Sequence, residues 1–331
     1  PFFVSVISNS DHWLFVSSTG GLTAGRVSPE TALFPYVTVD KIHESTEHTG
    51  SKTLLEVEID NKTYNWEPFN RKHDREYSIS SHLYKNVLGN KLCFEETNED
   101  LQITFRYTWL TSEVYGFVRE CELINLSDQT VKVKLLDGLQ NILPASTPRH
   151  TQTNTSNLVD AYKWNELDEK THLAFFTLYS GITDKAEPCE SLKTNTVFCL
   201  GLEQPNILLS SEQLDAFRNG QPLEQEVHKR GIRGAYFVNT TLSLPATSSK
   251  QWQLVANVEQ SQSQAVALRK KLTNTDEVIL AISKSIDNGS DELARIMAGG
   301  DAFQLTNEET VSVHHYANVL FNILRGGAFD D

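Results

Sequence analysis

The 331-residue sequence predicts a mainly β protein, an antiparallel supersandwich followed by a C-terminal helical segment, and three observations predict it. Apolar residues alternate at period two through much of residues 1–258, short turns rich in Asn, Asp, Gly and Ser separate those runs, and beyond Val258 the apolar period becomes helical. Many short strands so punctuated argue for a sandwich rather than a βαβ sheet.

The elements follow in order. Strand-like runs occupy residues 2–7, 13–18, 54–59 and 91–95. Leu101, Ile103, Phe105, Tyr107 and Trp109 then alternate without a break, which marks a strand with one buried face. Residues 117–125 read as the next strand, and Ser127-Asp128-Gln129 turns the chain into Val131, Val133 and Leu135, so a three-strand antiparallel meander is expected. Further strands are read at 173–179, 196–202, 235–244 and 252–258. One helix interrupts them as a surface insertion: Ser211 caps it, Leu214 and Phe217 share a face, and Asn219-Gly220 with Pro222 stops it.

Residues 259–331 read as four helices. Ala265, Leu268 and Leu272 form one face. Thr275 opens a second helix carrying Val278, Ile279, Ile282 and Ile286, with Asn288-Gly289 as its stop. Ser290 opens a third with Leu293, Ile296 and Met297, ended by Gly299-Gly300. Thr306 and Glu309 have capping-box spacing before Val313, Ala317, Leu320 and Leu324, and Arg325 with Gly326-Gly327 closes that last helix. Such an amphipathic helix needs a cover, for which the sandwich, another subunit and a domain outside these residues are the three candidates, and the helices are expected to dock onto the last.

Composition narrows the function classes. A formal charge of −14 argues against a phosphate-backbone surface, which needs clustered Lys and Arg. No apolar run is long enough to cross a bilayer as a helix, so no membrane role is expected. Cys93, Cys121, Cys189 and Cys199 contain no CxxC pair and read as reduced thiols, which suits the cytoplasm. The start at Pro1 lacks a basic-then-apolar leader, and secretion or a periplasmic location stays open.

The phrase from Gly116 through Ser127, followed by 131–135, resembles the paired strands of galactose-mutarotase-like supersandwiches. The ending 322–331 is similar to the segment that leads into the catalytic barrel of cellobiose and chitobiose phosphorylases. This resemblance to the phosphorylase family implies a 1–258 sandwich and a 259–331 linker to an (α/α)6 barrel absent from the chain. It implies no catalytic residue here, because the family's acid sits on the barrel. Inorganic phosphate would be the parent enzyme's co-substrate, with no cofactor. An oligosaccharide or disaccharide, the barrel and a second copy of the chain are the implied partners.

Gly20 and Gly25 have phosphate-loop spacing, but Arg26 and Val27 stand where Lys and a hydroxyl are needed, so a turn is expected, with Thr19 and Arg26 as sugar contacts. Trp66 and Trp164 sit among polar neighbours and are the stacking candidates for a sugar ring, whereas Trp109 continues an apolar face. The basic stretch 228–234 offers Arg230 and Arg233 as anion contacts. A mutarotase-type acid and base would be drawn from His150, His172, Glu166 and Glu187. His314-His315 lacks helical metal-ligand spacing, and no metal site is expected. Three functions therefore compete: a non-catalytic domain of a glycoside phosphorylase or hydrolase, a free-standing sugar epimerase, and a carbohydrate-binding or assembly module.

Overall fold

The computed structural model describes residues 2–299 and 309–324, apart from 155, 184, 185, 187 and 188. Thr306, Glu187, Gly300, Arg325 and 326–331, all used in the sequence reading, lie outside the described residues.

Alternating side chains build three antiparallel sheets. The largest has nine strands in the order β16 (His228–Arg230), β12 (Lys163–Asp168), β13 (Leu173–Leu178), β14 (Lys193–Leu200), β18 (Ser249–Ser261), β10 (Gly116–Asn125), β9 (Ile103–Ser112), β8 (Leu92–Asn98) and β7 (Ile79–Lys85). Facing it is a five-stranded sheet, β15 (Asn206–Leu208), β17 (Gly234–Leu244), β11 (Val131–Ile142), β5 (Gly50–Ile59) and β6 (Lys62–Trp66). A third sheet joins β1 (Phe3–Val6), β2 (His12–Ser17), β3 (Leu22–Arg26) and β4 (Ala32–Phe34). One core unites all three, with Phe105, Phe117, Leu123 and Trp252 meeting Val57, Trp66, Val133 and Leu135, and with Val16, Leu22 and Phe34 packed beside them. The architecture is the predicted antiparallel supersandwich with helices after it.

Topology departs from the expected meander at one point. β9 and β10 pair, but β11 leaves them and pairs with β17 and β5 in the opposite sheet. Asn125 turns this corner: fully buried, its Nδ2 donates to the carbonyls of Gln129, Leu244 and Pro245, while its Oδ1 accepts from the backbone N–H and the hydroxyl of Ser127. Period-two alternation tells that a segment is a strand, not which sheet it joins.

A charged cluster also sits in this core. Arg119 and Asp137 are fully buried, and Arg119 Nη1 donates to both Asp137 oxygens at 2.9 Å. Thr53 Oγ1 and Trp252 Nε1 donate to the same carboxylate at 2.7 Å each, and the guanidinium lies 4.4 Å from the Tyr107 ring centroid. Every Asp137 oxygen is therefore satisfied, which a buried carboxylate requires.

Helices cover the outer faces of the sheets. α1 (Val39–Glu44), α2 (Arg149–Asn154) and α3 (Ser156–Tyr162) are short and connect strands. α4 (Leu214–Arg218) is the helix expected as a surface insertion, yet Leu214 and Phe217 pack on Leu54, Leu136, Leu208 and Phe237, the outer face of the five-stranded sheet. α5 (Gln262–Lys271) opens with a full capping box, Ser261 with Gln264.

α6 (Thr275–Gly299) is a continuous helix of 25 residues, where two helices were expected. Asn288-Gly289 does not stop it. Gly289 instead allows the sandwich to approach, since a Cβ there would lie 2.8 Å from Asn9 Oδ1, and Ser290 turns its hydroxyl back to the Ile286 carbonyl rather than capping. Val278, Ile282 and Ile286 pack on Leu110, Val118, Phe198 and Val255, so α6 lies on the outer face of the nine-stranded sheet. Ser285 and Ser290 pin it further, to Ser112 and Asn90. α7 (Glu309–Leu324) adds Tyr316 and Leu320 to Leu293, Met297 and Ile7. Of the covers expected for these helices, the sandwich is the one that the described apolar residues of α6 meet, and Tyr316 and Leu320 of α7 pack with Leu293, Met297 and Ile7.

Candidate functional site

α5 and α6 cover only part of the nine-stranded sheet's outer face. Where α6 ends its cover, three adjacent strands present polar residues at alternate positions: Arg106 and Thr108 on β9, Glu120 and Glu122 on β10, Gln251 and Gln253 on β18. Register makes them rows. Glu120 stands opposite Thr108 and Gln253, and Glu122 stands opposite Arg106 and Gln251. With Ile279 of α6 and Leu200 as apolar walls, they line a cleft of about 450 Å³, a size suited to a small ligand.

The two carboxyl groups differ in environment. Glu122 Oε1 accepts from Ser249 Oγ at 2.8 Å and Gln251 Nε2 at 3.0 Å, and its Oε2 lies 3.2 Å from Arg106 Nε. Glu120 has one donor, Gln253 Nε2 at 3.0 Å. Burial pushes the Glu120 carboxyl above the usual carboxylate range, the Gln253 bond opposes this, and Asp287 on α6 adds to the rise. Gln253 Oε1 is buried and has no hydrogen-bond partner among the described residues. Amides, a guanidinium and carboxyl groups converging beside an apolar wall can hold vicinal hydroxyls on one side and a C–H face on the other. Two carboxyl groups at alternate positions of one strand, one of them holding its proton to higher pH, can also pass a proton to and from such a ligand.

None of the sequence-derived candidates lies in this cleft. Trp66 is fully buried in the common core, contrary to the accessible position expected of it. Its polar neighbours Asn65 and Glu67 occupy the other face of the strand, as period two requires, and so carry no information about the face Trp66 uses. Thr19 bonds Ser17 within the 17–21 turn, which Gly20 makes with φ +91°, and Thr46 just after α1. Arg26 is spent on the protein itself, with Nε 2.7 Å from Asp11 Oδ1 and Nη1 donating to the Glu113 carbonyl and Asn257 Oδ1. Arg233 faces Asp160 at 3.3 Å, which answers its charge from within the chain. Two candidates do meet: the Arg230 guanidinium lies 3.8 Å from the Trp164 ring centroid. Of the proposed mutarotase set, Glu166 faces His228, His172 sits in the turn before β13, and His150 is in α2, with no bond among them. The cleft residues carried one signal in the sequence, charged or amide side chains at alternate positions of three strands, which becomes a site only once register is known.

No protein-family model and no curated protein matches the chain. Among solved structures it is similar to a bacterial glucoamylase complexed with acarbose, with TM-score 0.53 and 12% identity over 96% of this chain and 39% of the glucoamylase. The chain shares its fold with that enzyme. A candidate kojibiose phosphorylase from the human microbiome aligns over 96% of this chain and 35% of its own, with 11% identity and TM-score 0.36. A candidate aldose 1-epimerase from Escherichia coli K12 aligns over 78% of this chain and 99% of its own, with 10% identity and TM-score 0.39. At such identities the likeness to glucoamylase concerns the fold alone, and this chain spans about two fifths of that protein.

Proposed function

We propose that the chain is the sandwich part of a larger carbohydrate-processing enzyme and that it holds a saccharide in the Glu120 cleft without itself breaking a glycosidic bond. The observation that carries this reading is the convergence of Arg106, Glu120, Glu122, Gln251 and Gln253 beside Ile279. Such a set matches a ligand with hydroxyls on one edge and C–H groups on the other, and the fold shared with a glucoamylase agrees with it. Calorimetric titration of the chain with glucose, cellobiose and maltose tests it. Heat of binding with at least one sugar, lost in Glu122→Ala, is expected; no heat with any of them removes the proposal.

For the parent enzyme we propose disaccharide phosphorolysis, with inorganic phosphate as co-substrate and the acid supplied by a domain beyond these residues. Incubating the full-length protein with cellobiose and phosphate is expected to release glucose 1-phosphate, and release of glucose alone would turn the reading to hydrolysis. A second reading, sugar epimerisation by this chain, is favoured by the raised pKa of Glu120 beside Glu122. It requires faster decay of optical rotation from fresh α-glucose with the chain present, and a rate equal to the blank excludes it.

A further inference from the structure

The same outer face carries a second feature on the far side of the helices, at the sheet's β16 edge. Trp164 on β12 lies between two partners from opposite neighbouring strands. Arg230 of β16 places its guanidinium 3.8 Å from the Trp164 ring centroid, and the Tyr179 ring, just past β13, lies parallel to it at 6.1 Å and 11°. Trp164 is half-buried, whereas Tyr179 is 72% exposed. An exposed ring is ordinarily mobile, yet the Tyr179 backbone N–H donates to the Tyr162 carbonyl at 2.7 Å, which extends the β12–β13 ladder by one position. The backbone at Tyr179 is thus held, and stacking on Trp164 orients its ring.

Beside it runs a cleft of about 370 Å³, lined by Glu166, Phe175, Thr177, Lys193, Thr194 and Arg269 among others. The charges in and around it are answered within the chain. Arg269 meets Asp168 at 2.7 Å, Lys193 meets Glu259 at 3.1 Å, and Glu166 faces His228 at 3.4 Å. Arg230 is different: its guanidinium faces the indole, and its N–H groups donate no hydrogen bond to the described residues. A stacked guanidinium, an exposed ring stacked on Trp164 and neutral hydroxyls suit a pyranose ring, with C–H groups against the aromatic and hydroxyls toward Arg230 and Thr177. Paired charges and a net −14 disfavour a polyanion.

We propose that Tyr179, Trp164 and Arg230 form a second saccharide-binding surface, separate from the Glu120 cleft, that takes a neutral oligosaccharide chain. It rests on the carbohydrate reading of the protein but not on the cleft, because α5 and α6 lie between the two.

Maltohexaose and cellohexaose are the probes, titrated calorimetrically against the full chain, with hexagalacturonate as the anionic comparison. Binding of at least one neutral hexasaccharide is expected, with Kd raised about five- to tenfold in Tyr179→Ala and in Arg230→Ala and restored in Tyr179→Phe. Lys132→Ala, an exposed residue of β11 outside both clefts, is expected to change that Kd by less than about twofold. The proposal is overturned if neither neutral hexasaccharide binds, if hexagalacturonate binds more tightly, or if Tyr179→Ala leaves the affinity of a bound hexasaccharide unchanged. Thermal melting of each variant separates a lost contact from a lost fold, and Tyr179, exposed as it is, is expected to melt as the parent does in either substitution.

Discussion

Asp137 takes four side-chain donors in the centre of the sandwich, and that count decides what its loss would do. Burial alone would lower the Arg119 pKa, but the charge of Asp137 and its hydrogen bonds outweigh it and hold Arg119 protonated. Asp137→Ala leaves that cation buried without an anion and is expected to cost about 3–5 kcal/mol in urea unfolding, while Arg119→Met with Asp137→Leu recovers most of it. A double variant as unstable as the single one would place the cost in packing instead. Glu120 follows an opposite rule. Its folded-state pKa lies above its unfolded value, so the protonated form favours folding, and the stability it supplies below the unfolded pKa is lost as pH rises through the folded pKa. Glu120→Gln is therefore expected to raise Tm more at pH 7 than at pH 4, as site residues commonly trade stability for function; an equal change at both would show that the carboxyl titrates normally. Neither role was legible beforehand. Arg119 and Glu120 are adjacent charged residues on one strand, and only the face each uses separates a core pin from a cleft wall.

At the scale of elements, strands were legible because period-two alternation reports burial directly, and α5 was legible because Ala265, Leu268 and Leu272 recur at helical spacing. The corner after β10 and the length of α6 were not, since both depend on residues distant in sequence. Asn125 needs the Leu244 and Pro245 carbonyls to turn the chain, and Gly289 needs Asn9 against it to be a contact rather than a stop. These two glycine contexts give contrasting expectations. Gly116 ends the β9–β10 turn with φ +91°, and a Cβ there would stand 2.3 Å from the Ala256 carbonyl oxygen of β18. Gly116→Ala is expected to cost about 2 kcal/mol or more, because backbone cannot give way. Gly289→Ala meets only the end of a side chain and gains about 1 kcal/mol of helix propensity, so it should be neutral or stabilising. Denaturant midpoints of the two variants check the contrast, and a large loss at Gly289 would mean that Asn9 cannot move.

Across the whole molecule, the nine-stranded sheet is wider than the five-stranded sheet facing it, and its outer face is divided among three uses. One flank holds the Glu120 cleft, the other the Tyr179 platform, and the middle is apolar, with Leu110, Val118, Phe198 and Val255 beneath α6. Alternating strands leave such a stripe only where something covers it, and here the cover comes from the same chain. The segment after β18 is therefore expected to belong to the folding unit, and truncation tests it. A chain ending at Lys271 keeps every strand but exposes the stripe and removes the Ile279 wall of the cleft. It is expected to bind a hydrophobic dye, to associate in sedimentation and to melt well below the 331-residue chain, since fully burying each of Val278, Ile282 and Ile286 contributes about 1.5–3 kcal/mol. If the shortened chain stays monomeric, dye-free and equally stable, the sandwich closes its own core without α6, and the helix would then be free to serve another domain.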